Sequence, residues 1–577
     1  MITIRIGECV KLTPTSISSQ SGFVSFPYES ELVEYMKSLG TRVYIPNTHE
    51  WEVPLTAVPT ICNKLATRDV KIVGKMTKES KALVNLPDGF NFKTTPYSHQ
   101  REGVLFGLAN DTFLLGDDQG LGKTKEIIDL AVARKISEGL KHCLIICGVN
   151  GNKYNWVDEV HTHSNEDAWV IGTRYTKRRP IKQIEGTGQD KLDDLNNLPP
   201  HFFLITNVET LRAMAYKEKK GNSFHYRFPI AEKLQKLCES GEIGMVAFDE
   251  AHKAKNPTSQ QGQALLSLTP KYAIPMSGTF ILNNPLDLYV PLKWAGFETH
   301  SFYQYKQHYC VMGGFHKQEI IGYKNLDELR ALLSKVMLRR VKTDVLDLPP
   351  KVHTVEYVEM TKDQMKVYAE VKEELKSCID KIKIHNDPLS QMIRLRQVTG
   401  YPGILSTKIT ESAKMDRMLE IVEDITAVGQ KVIVFSQWEM MTEVARKKLA
   451  PYNPAYITGA VKSEDRMREM DRFQNDPDCK VIVGTVGAMG TGFTLTAASN
   501  VIFLDDPWNR AIKDQAEDRA HRIGTKGTVR IITLVCKDTI DERILNLVER
   551  KGRMADMLID GKFEVTDKRA FVDYLLS

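Results

Sequence analysis

The chain predicts an α/β fold: two lobes built on parallel sheets, helical protrusions between them, and a small α+β piece in front. Three observations carry that expectation. Short apolar runs of strand length alternate with helix-length segments, the pattern of strands buried on both faces of a parallel sheet. The runs fall into two groups, parted by a long stretch that reads as helical. One early run, "FLL" from residue 113, leads through a glycine-rich turn into a helical pattern, the layout of a strand–loop–helix unit whose loop faces a ligand.

Composition agrees. At 577 residues the chain is too long for one hydrophobic core, and 42% hydrophobic with 26% charged residues is ordinary for a soluble globular protein. A net charge of +5 is small for this size, so any anionic partner must be met by a local basic surface. The nine cysteines are scattered, which fits a reducing intracellular setting rather than a disulfide scaffold. No run is long enough to span a bilayer, no signal-peptide core opens the chain, and no membrane association is expected. Cys143 and Cys147, with His161 and His163 downstream, have the residue types of a zinc site. "CLIIC" reads instead as a buried strand in which cysteine serves as a small hydrophobe.

In order, residues 1–94 form a separate accessory piece with strand-like and helix-like stretches, "GFVSFPYESELVEYMKSL" among them. Residues 95–284 make the first lobe, with "FLL" at 113, "CLIIC" at 143, "FFLI" at 202, "MVAF" at 245 and "YAIPM" at 272. Residues 285–410 read as mainly helical, carrying "LDELRALLSKVMLRR" and "KDQMKVYAEVKEELKSCIDKI" around the breaker "DLPPK". Residues 411–577 make the second lobe, with "VIVF" at 432, "VIV" at 481, "VIFL" at 501 and "IITLV" at 531.

Chemistry concentrates in three places. "GDDQGLGKT" lies between a strand and the helix "KEIIDLAVARKI", so Gly120 and Gly122 stand where backbone N–H groups wrap phosphate oxygens at a helix N-terminus. Lys123 would bring charge to the terminal phosphates and Thr124 a hydroxyl to Mg²⁺. The common phosphate-loop pattern has glycine where Asp117 stands, which leaves open whether the loop works. In "MVAFDEAHKAKNP" a buried strand delivers Asp249 and Glu250 at its carboxyl end, suited to hold Mg²⁺ through water and to activate an attacking water. In "DQAEDRAHRIG" Gln515, Arg519 and Arg522 follow one another at spacings of four and three, which places them on one helix face. Two converging arginines suit a developing phosphate charge.

These motifs, in this order, make the chain resemble the Swi/Snf-type ATPases of helicase superfamily two over about residues 94 to 550. That family's first motif carries aspartate where other loops carry glycine, so the resemblance implies a working ATP site spanning Asp117, Asp118, Gln119, Gly120, Leu121, Gly122, Lys123 and Thr124. It further implies Gln100 in "PYSHQREGV" as adenine reader, "DEAH" at 249–252 as the Mg²⁺ and water-activating box, and "SGT" at 277–279 followed by "LRRVKTDV" and "LPPK" as coupling elements. Arg519 and Arg522 become arginine fingers, with Gln515 at the nucleotide. Thr206 in "LITNVETLR", Trp438 in "VIVFSQW", Thr485 and Trp508 become nucleic-acid contacts. Departures from the family pattern are Phe280, Met489, Thr494, Arg510 and Thr525, none of them at a phosphate or magnesium ligand.

The resemblance implies two RecA-like lobes and a monomeric, ATP- and Mg²⁺-dependent translocase on double-stranded or branched DNA, in repair, recombination or fork remodelling. A strand-separating DNA or RNA helicase and a chromatin remodeller are the alternatives. The basic runs "RYTKRRPIK" and "YKEKKGNSFHYR" are candidate backbone contacts, though such runs are commonly solvated loops. Tyr44, Pro46, Trp51 and Pro54 in residues 1–94 are similar to a pattern in the HepA-related module of annealing helicases. A packing domain that shields the first lobe is the plainer reading of that piece.

Overall fold

A computed structural model describes residues 2–8, 20–38, 42–46, 48–54, 58, 61, 70–73, 85–148, 150, 152–176, 183–220, 223–280, 285–313, 319–346, 348–381, 388–405, 409, 411–489, 494–507, 510–522, 524, 525 and 527–546. The chain forms two compact units, Met1–Cys310 with Lys324–Asp347, and Val311–Tyr323 with Leu348–Ser577. Among the described residues no helix is long and apolar enough to cross a membrane.

The first unit opens with a five-stranded sheet ordered Val43–Ile45, Glu50–Pro54, Gln20–Ser25, Ile2–Glu8, Val70–Val73. Helix Ser30–Ser38 sends Leu32 and Met36, one turn apart, into a core with Ile4, Val24 and Val53. Arg5 grips Glu50 with two hydrogen bonds of 2.7 and 3.2 Å and lies 4.1 Å over the Phe23 ring. Tyr44 and Trp51 pack with ring centroids 5.1 Å apart on paired strands.

The main sheet of this unit is parallel and ordered Tyr272–Pro275, Ile243–Asp249, His142–Cys147, Phe203–Asn207, Ala168–Val170. Leu114–Leu115 extends it through a bridge from Leu115 to Met276, and Met337–Leu338 pairs parallel with Leu114–Leu115. Alternate side chains supply two cores. Leu144, Ile146, Leu204, Val246 and Phe248 face one side, and Cys143, Ile145, Phe203, Ile205 and Met245 the other. Every strand carboxyl end lies at the same edge, which is where a ligand meets an open parallel sheet.

The second unit holds a six-stranded parallel sheet ordered Lys351–Val358, Val529–Cys536, Asn500–Phe503, Val432–Ser436, Val481–Thr485, Ala455–Ile457. Its faces divide in the same manner, with Ile433, Phe435, Ile482 and Val501 on one side and Val434, Val483, Ile502 and Ile532 on the other. The mainly helical reading of 285–410 holds for Leu326–Val336 and Lys362–Lys381 but not for Lys351–Val358. That edge strand is rich in valine, threonine and tyrosine, yet Val358 alone among its residues is buried, so it lacks the apolar run that marks the inner strands. The three-residue strands Ala168–Val170 and Ala455–Ile457 also close sheet edges and are too short to show a pattern.

Candidate functional site

In the first unit the phosphate loop runs from Leu115 into helix Lys123–Glu138. Gly120 and Gly122 take φ of 81° and 85°, the left-handed region that glycine occupies at no steric cost. Any Cβ at Gly122 would also come within 2.2 Å of the Gln100 amide nitrogen. Gln100 sits on helix Ser98–Ala109 and donates to the Leu121 carbonyl at 3.1 Å, while His99 bonds the same carbonyl at 2.8 Å. The Leu121 side chain is fully buried, leaving its backbone as the part that can meet a ligand. Lys123 donates to the carbonyls of Asp117 and Asp118 at 2.8 and 3.0 Å, and Thr124 is half-buried beside it.

The carboxylates of Asp117 and Asp118 are both turned to the segment 340–342. Asp117 has no exposed surface, and its oxygens accept from the Arg340 backbone N–H at 3.0 Å and from the Arg340 guanidinium at 2.9 Å. The Asp118 carboxylate accepts from the Lys342 N–H at 3.1 Å, and its own N–H donates to the Arg340 carbonyl at 3.0 Å. Arg340 also donates to both Glu126 oxygens at 2.7 and 2.8 Å and to the His99 carbonyl. One guanidinium thus ties the loop, the helix after it and the Gln100 helix together. This is the physical reason an aspartate stands where other phosphate loops have glycine.

Strand Ile243–Asp249 ends where Asp249 accepts from the Trp156 indole N–H at 3.1 Å. Burial, with the Glu250 charge beside it, pushes Asp249 up to about 6. Glu250 is 5% exposed and takes φ 54° and ψ 49°, a left-handed conformation that is costly for a residue with a side chain and typical of functional turns. Gln119 donates to it at 3.4 Å, linking the loop to "DEAH". A Cβ on Gly278 would meet the Gln119 side chain at 2.9 Å, so "SGT" packs against the same residue. His252 bonds Ser277 at 3.1 Å, and burial, then the Lys253 and Lys255 charges, push it down to about 4. The first unit therefore gathers Lys123, Asp249 and Glu250. Burial pushes the Cys143 and Cys147 thiols up, away from the thiolate a metal would need.

In the second unit Gln515 lies on helix Arg510–Glu517, but Arg519 and Arg522 lie beyond its end, so the single helix face does not exist. The Arg519 carbonyl is taken by the Leu495 N–H at 2.9 Å, and the Thr525 hydroxyl caps the Ala520 and Arg522 carbonyls at 2.7 Å, which stops the helix ladder. The turn is held from below. Glu517, with no exposed surface, pairs with Lys351 at 2.8 Å and His353 at 3.0 Å, and His521 bonds the Pro349 carbonyl at 2.8 Å. Arg522 donates to Thr494 at 2.8 Å, and its N–H donates to the Thr525 hydroxyl at 3.1 Å. Thus two of the departures from the family pattern, Thr494 and Thr525, bond Arg522.

Of the expected nucleic-acid contacts, Thr206 is 1% exposed within strand Phe203–Asn207 and cannot offer its side chain to a ligand. Thr485 ends its strand half-buried. Trp438 packs on the second unit's core, and its indole N–H lacks a hydrogen-bond partner among the described residues. Trp508 lies outside the described residues, as do 177–182 of "RYTKRRPIK". "YKEKKGNSFHYR" is an antiparallel hairpin, Tyr216–Lys220 with Ser223–Arg227, whose Arg227 is occupied by Glu218 and Glu232.

Comparison with known proteins places these features. Residues 28–404 match the model of the SNF2-related domain and residues 413–524 that of the helicase conserved C-terminal domain. The human DNA annealing helicase and endonuclease ZRANB3 is 27% identical over 85% of this chain and 42% of its own length. A Caenorhabditis elegans homologue of the SWI/SNF-related matrix-associated actin-dependent regulator of chromatin subfamily A-like protein 1 is 26% identical over 96% of this chain and 76% of its own. An uncharacterised ATP-dependent helicase of Mycoplasma pneumoniae is 26% identical over 92% of this chain and 49% of its own. The chain therefore spans about half or less of the length of two of these three relatives. With its family models covering most of its length, the chain belongs to the SNF2-related family.

Proposed function

We infer that the chain is a DNA-dependent ATPase and a translocase on double-stranded or branched DNA. The observation that carries the ATPase reading is the convergence of Lys123, Asp249 and Glu250 in the first unit, with the Lys123 charge acting on Asp249 and Gln119 bonded to Glu250. The loop N–H groups and Lys123 would take the terminal phosphates of ATP, Lys123 exchanging two backbone carbonyls for phosphate oxygens. Asp249 and Thr124 offer the carboxylate and hydroxyl oxygens that suit Mg²⁺. Bound there, the ion would neutralise charge developing on the phosphates. Glu250, held by its strained turn, orients and deprotonates the attacking water. Arg519 and Arg522 would be the arginine fingers of turnover. In this reading residues 95–284 and 411–577 make the two motor lobes, 285–410 carries the protrusions along with the edge strand Lys351–Val358, and Thr485, Trp438 and Trp508 would contact DNA.

The likeness to human ZRANB3, a DNA annealing helicase and endonuclease, supports a role in annealing or fork remodelling for residues 1–94 with the motor. An alignment covering 96% of this chain takes in most of those residues as well. ATP hydrolysis measured with single-stranded, duplex and forked DNA and with RNA tests the motor. Duplex or forked DNA is expected to stimulate, and stimulation by RNA alone, or unwinding of a blunt duplex, would favour the strand-separating alternative. Deleting residues 1–90 should spare ATPase on plain duplex and lose fork regression. Forks remodelled at the full rate by the truncated chain would reduce that piece to a shield.

A further inference from the structure

The segment that leaves the first unit is fastened at both ends to residues of the ATP machinery. At one end Arg340 reaches Asp117 at the start of the phosphate loop, Glu126 in the first turn of the following helix, and the His99 carbonyl beside Gln100. At the other end Lys351 reaches Glu517 at 2.8 Å and Asp518 at 3.7 Å, the residues immediately before the turn that bears Arg519 and Arg522. His353 and the Pro349 carbonyl add bonds to Glu517 and His521 in the same turn. Ten residues, 341 to 350, lie between the two fastenings.

We propose that Arg340 and Lys351 are positioning residues, Arg340 setting the phosphate loop and Lys351 setting the arginine turn, at the two ends of one connecting segment. The assignment rests on the ATPase reading above. Neither side chain is placed to touch a nucleotide. Arg340 is 7% exposed with its donors spent on protein oxygens, and Lys351 is turned to Glu517 and Asp518. Each holds the backbone from which phosphate-facing groups project, so each acts on a different kinetic step. The loop binds phosphates in the ground state, and the arginines serve charge that develops in the transition state. Loss of Arg340 therefore falls on nucleotide binding and loss of Lys351 on turnover.

The test uses the full chain with R340Q, R340K, K351Q and K351R, measuring binding of a fluorescent ATP analogue, steady-state hydrolysis with duplex DNA, and thermal unfolding. R340Q is expected to weaken nucleotide binding and raise KM by about tenfold or more, with R340K recovering part of the loss because lysine keeps the charge without the fork. K351Q is expected to keep nucleotide affinity within about twofold while lowering kcat by about tenfold or more, with K351R restoring it. Should R340Q fail to fold, D117N carries the same expectation on KM while leaving Glu126 as the arginine's partner. An unchanged KM in R340Q or D117N, an unchanged kcat in K351Q, or the same loss of both parameters at both ends overturns the assignment. A wild-type chain that neither binds nor hydrolyses ATP defeats the ATPase reading itself, whereas wild-type turnover with unaffected variants defeats this inference alone.

Discussion

Around Arg340 one cation faces two carboxylates, with side chains of Arg340, Asp117 and Glu126 exposed by 6%, 0% and 2%. Around Glu517 one carboxylate faces two basic residues, Lys351 and His353, exposed by 22% and 41%. The consequences diverge. Burial pushes the Glu126 carboxyl well above the usual carboxylate range despite the arginine beside it. For Glu517 burial acts in the same direction, but the His353 hydrogen bond and the Lys351 charge outweigh it and hold the group down to about 2. A dry, over-supplied cluster fixes geometry, since nothing can replace a lost partner. A cluster whose basic residues reach in from solvent can exchange them for water and ions. The loop at Asp117 is thus held by a dry clamp and the turn at Arg519 to Arg522 by a wet one, and we expect the first to be the more rigid.

The largest effects should come from groups that meet the phosphates. Lys123→Ala and Glu250→Gln should each abolish turnover, the first also weakening ATP binding and the second preserving it. Equal loss of ATP affinity in both would remove Glu250 as the water-activating group. On the other side of the comparison, Arg522→Ala should lower the rate by roughly a thousandfold with binding nearly intact. A rate unchanged with DNA present would mean that the turn contributes no finger.

Stability sharpens the contrast at the next scale. Arg340→Gln leaves the fully buried Asp117 carboxylate without its cation and should cost about 3–5 kcal/mol in denaturant unfolding. Lys351→Gln leaves Glu517 with His353 and should cost about 2 kcal/mol or less. If both cost the same, the dry and wet clamps are not different in kind.

The sequence shows much of this and hides a definable part. Inner strands such as His142–Cys147 and Val432–Ser436 announce themselves as unbroken apolar runs because both faces are buried. Gly120, Gly122, Lys123 and Asp249 were legible because short loops bind phosphates through adjacent residues. The resemblance marked "LRRVKTDV" and "LPPK", but the partners of Arg340, Lys351 and Trp156 were not legible, since they lie 223, 166 and 93 residues away and nothing local marks which charge or indole answers which carboxylate. For the same reason the residues alone left the aspartate at 117 unexplained until the family resemblance accounted for it. The end of helix Arg510–Glu517 was hidden too, because no glycine or proline interrupts "DQAEDRAHRI" and a tertiary bond from the Leu495 N–H breaks the ladder.

The smallest expected effect depends on pH and salt. Glu517 has a folded pKa of about 2, below an unfolded value of about 4.3. A carboxylate held down in this way stabilises the fold above its unfolded pKa and loses that contribution as pH falls through the folded one. Lys351→Gln removes a charge that holds Glu517 down, so the stability gap between wild type and variant should be widest above about pH 5 and close as pH falls toward about 2. Lys351 is partly exposed, so salt at about 0.5 M should also narrow the gap, while the larger gap of Arg340→Gln, sealed from solvent, should hardly move. Urea unfolding of the three proteins across pH and salt measures both. A Lys351→Gln gap that stays constant with pH would show that the lysine packs against the turn without holding its charge. A salt response equal in the two variants would erase the distinction between a dry clamp and a wet one.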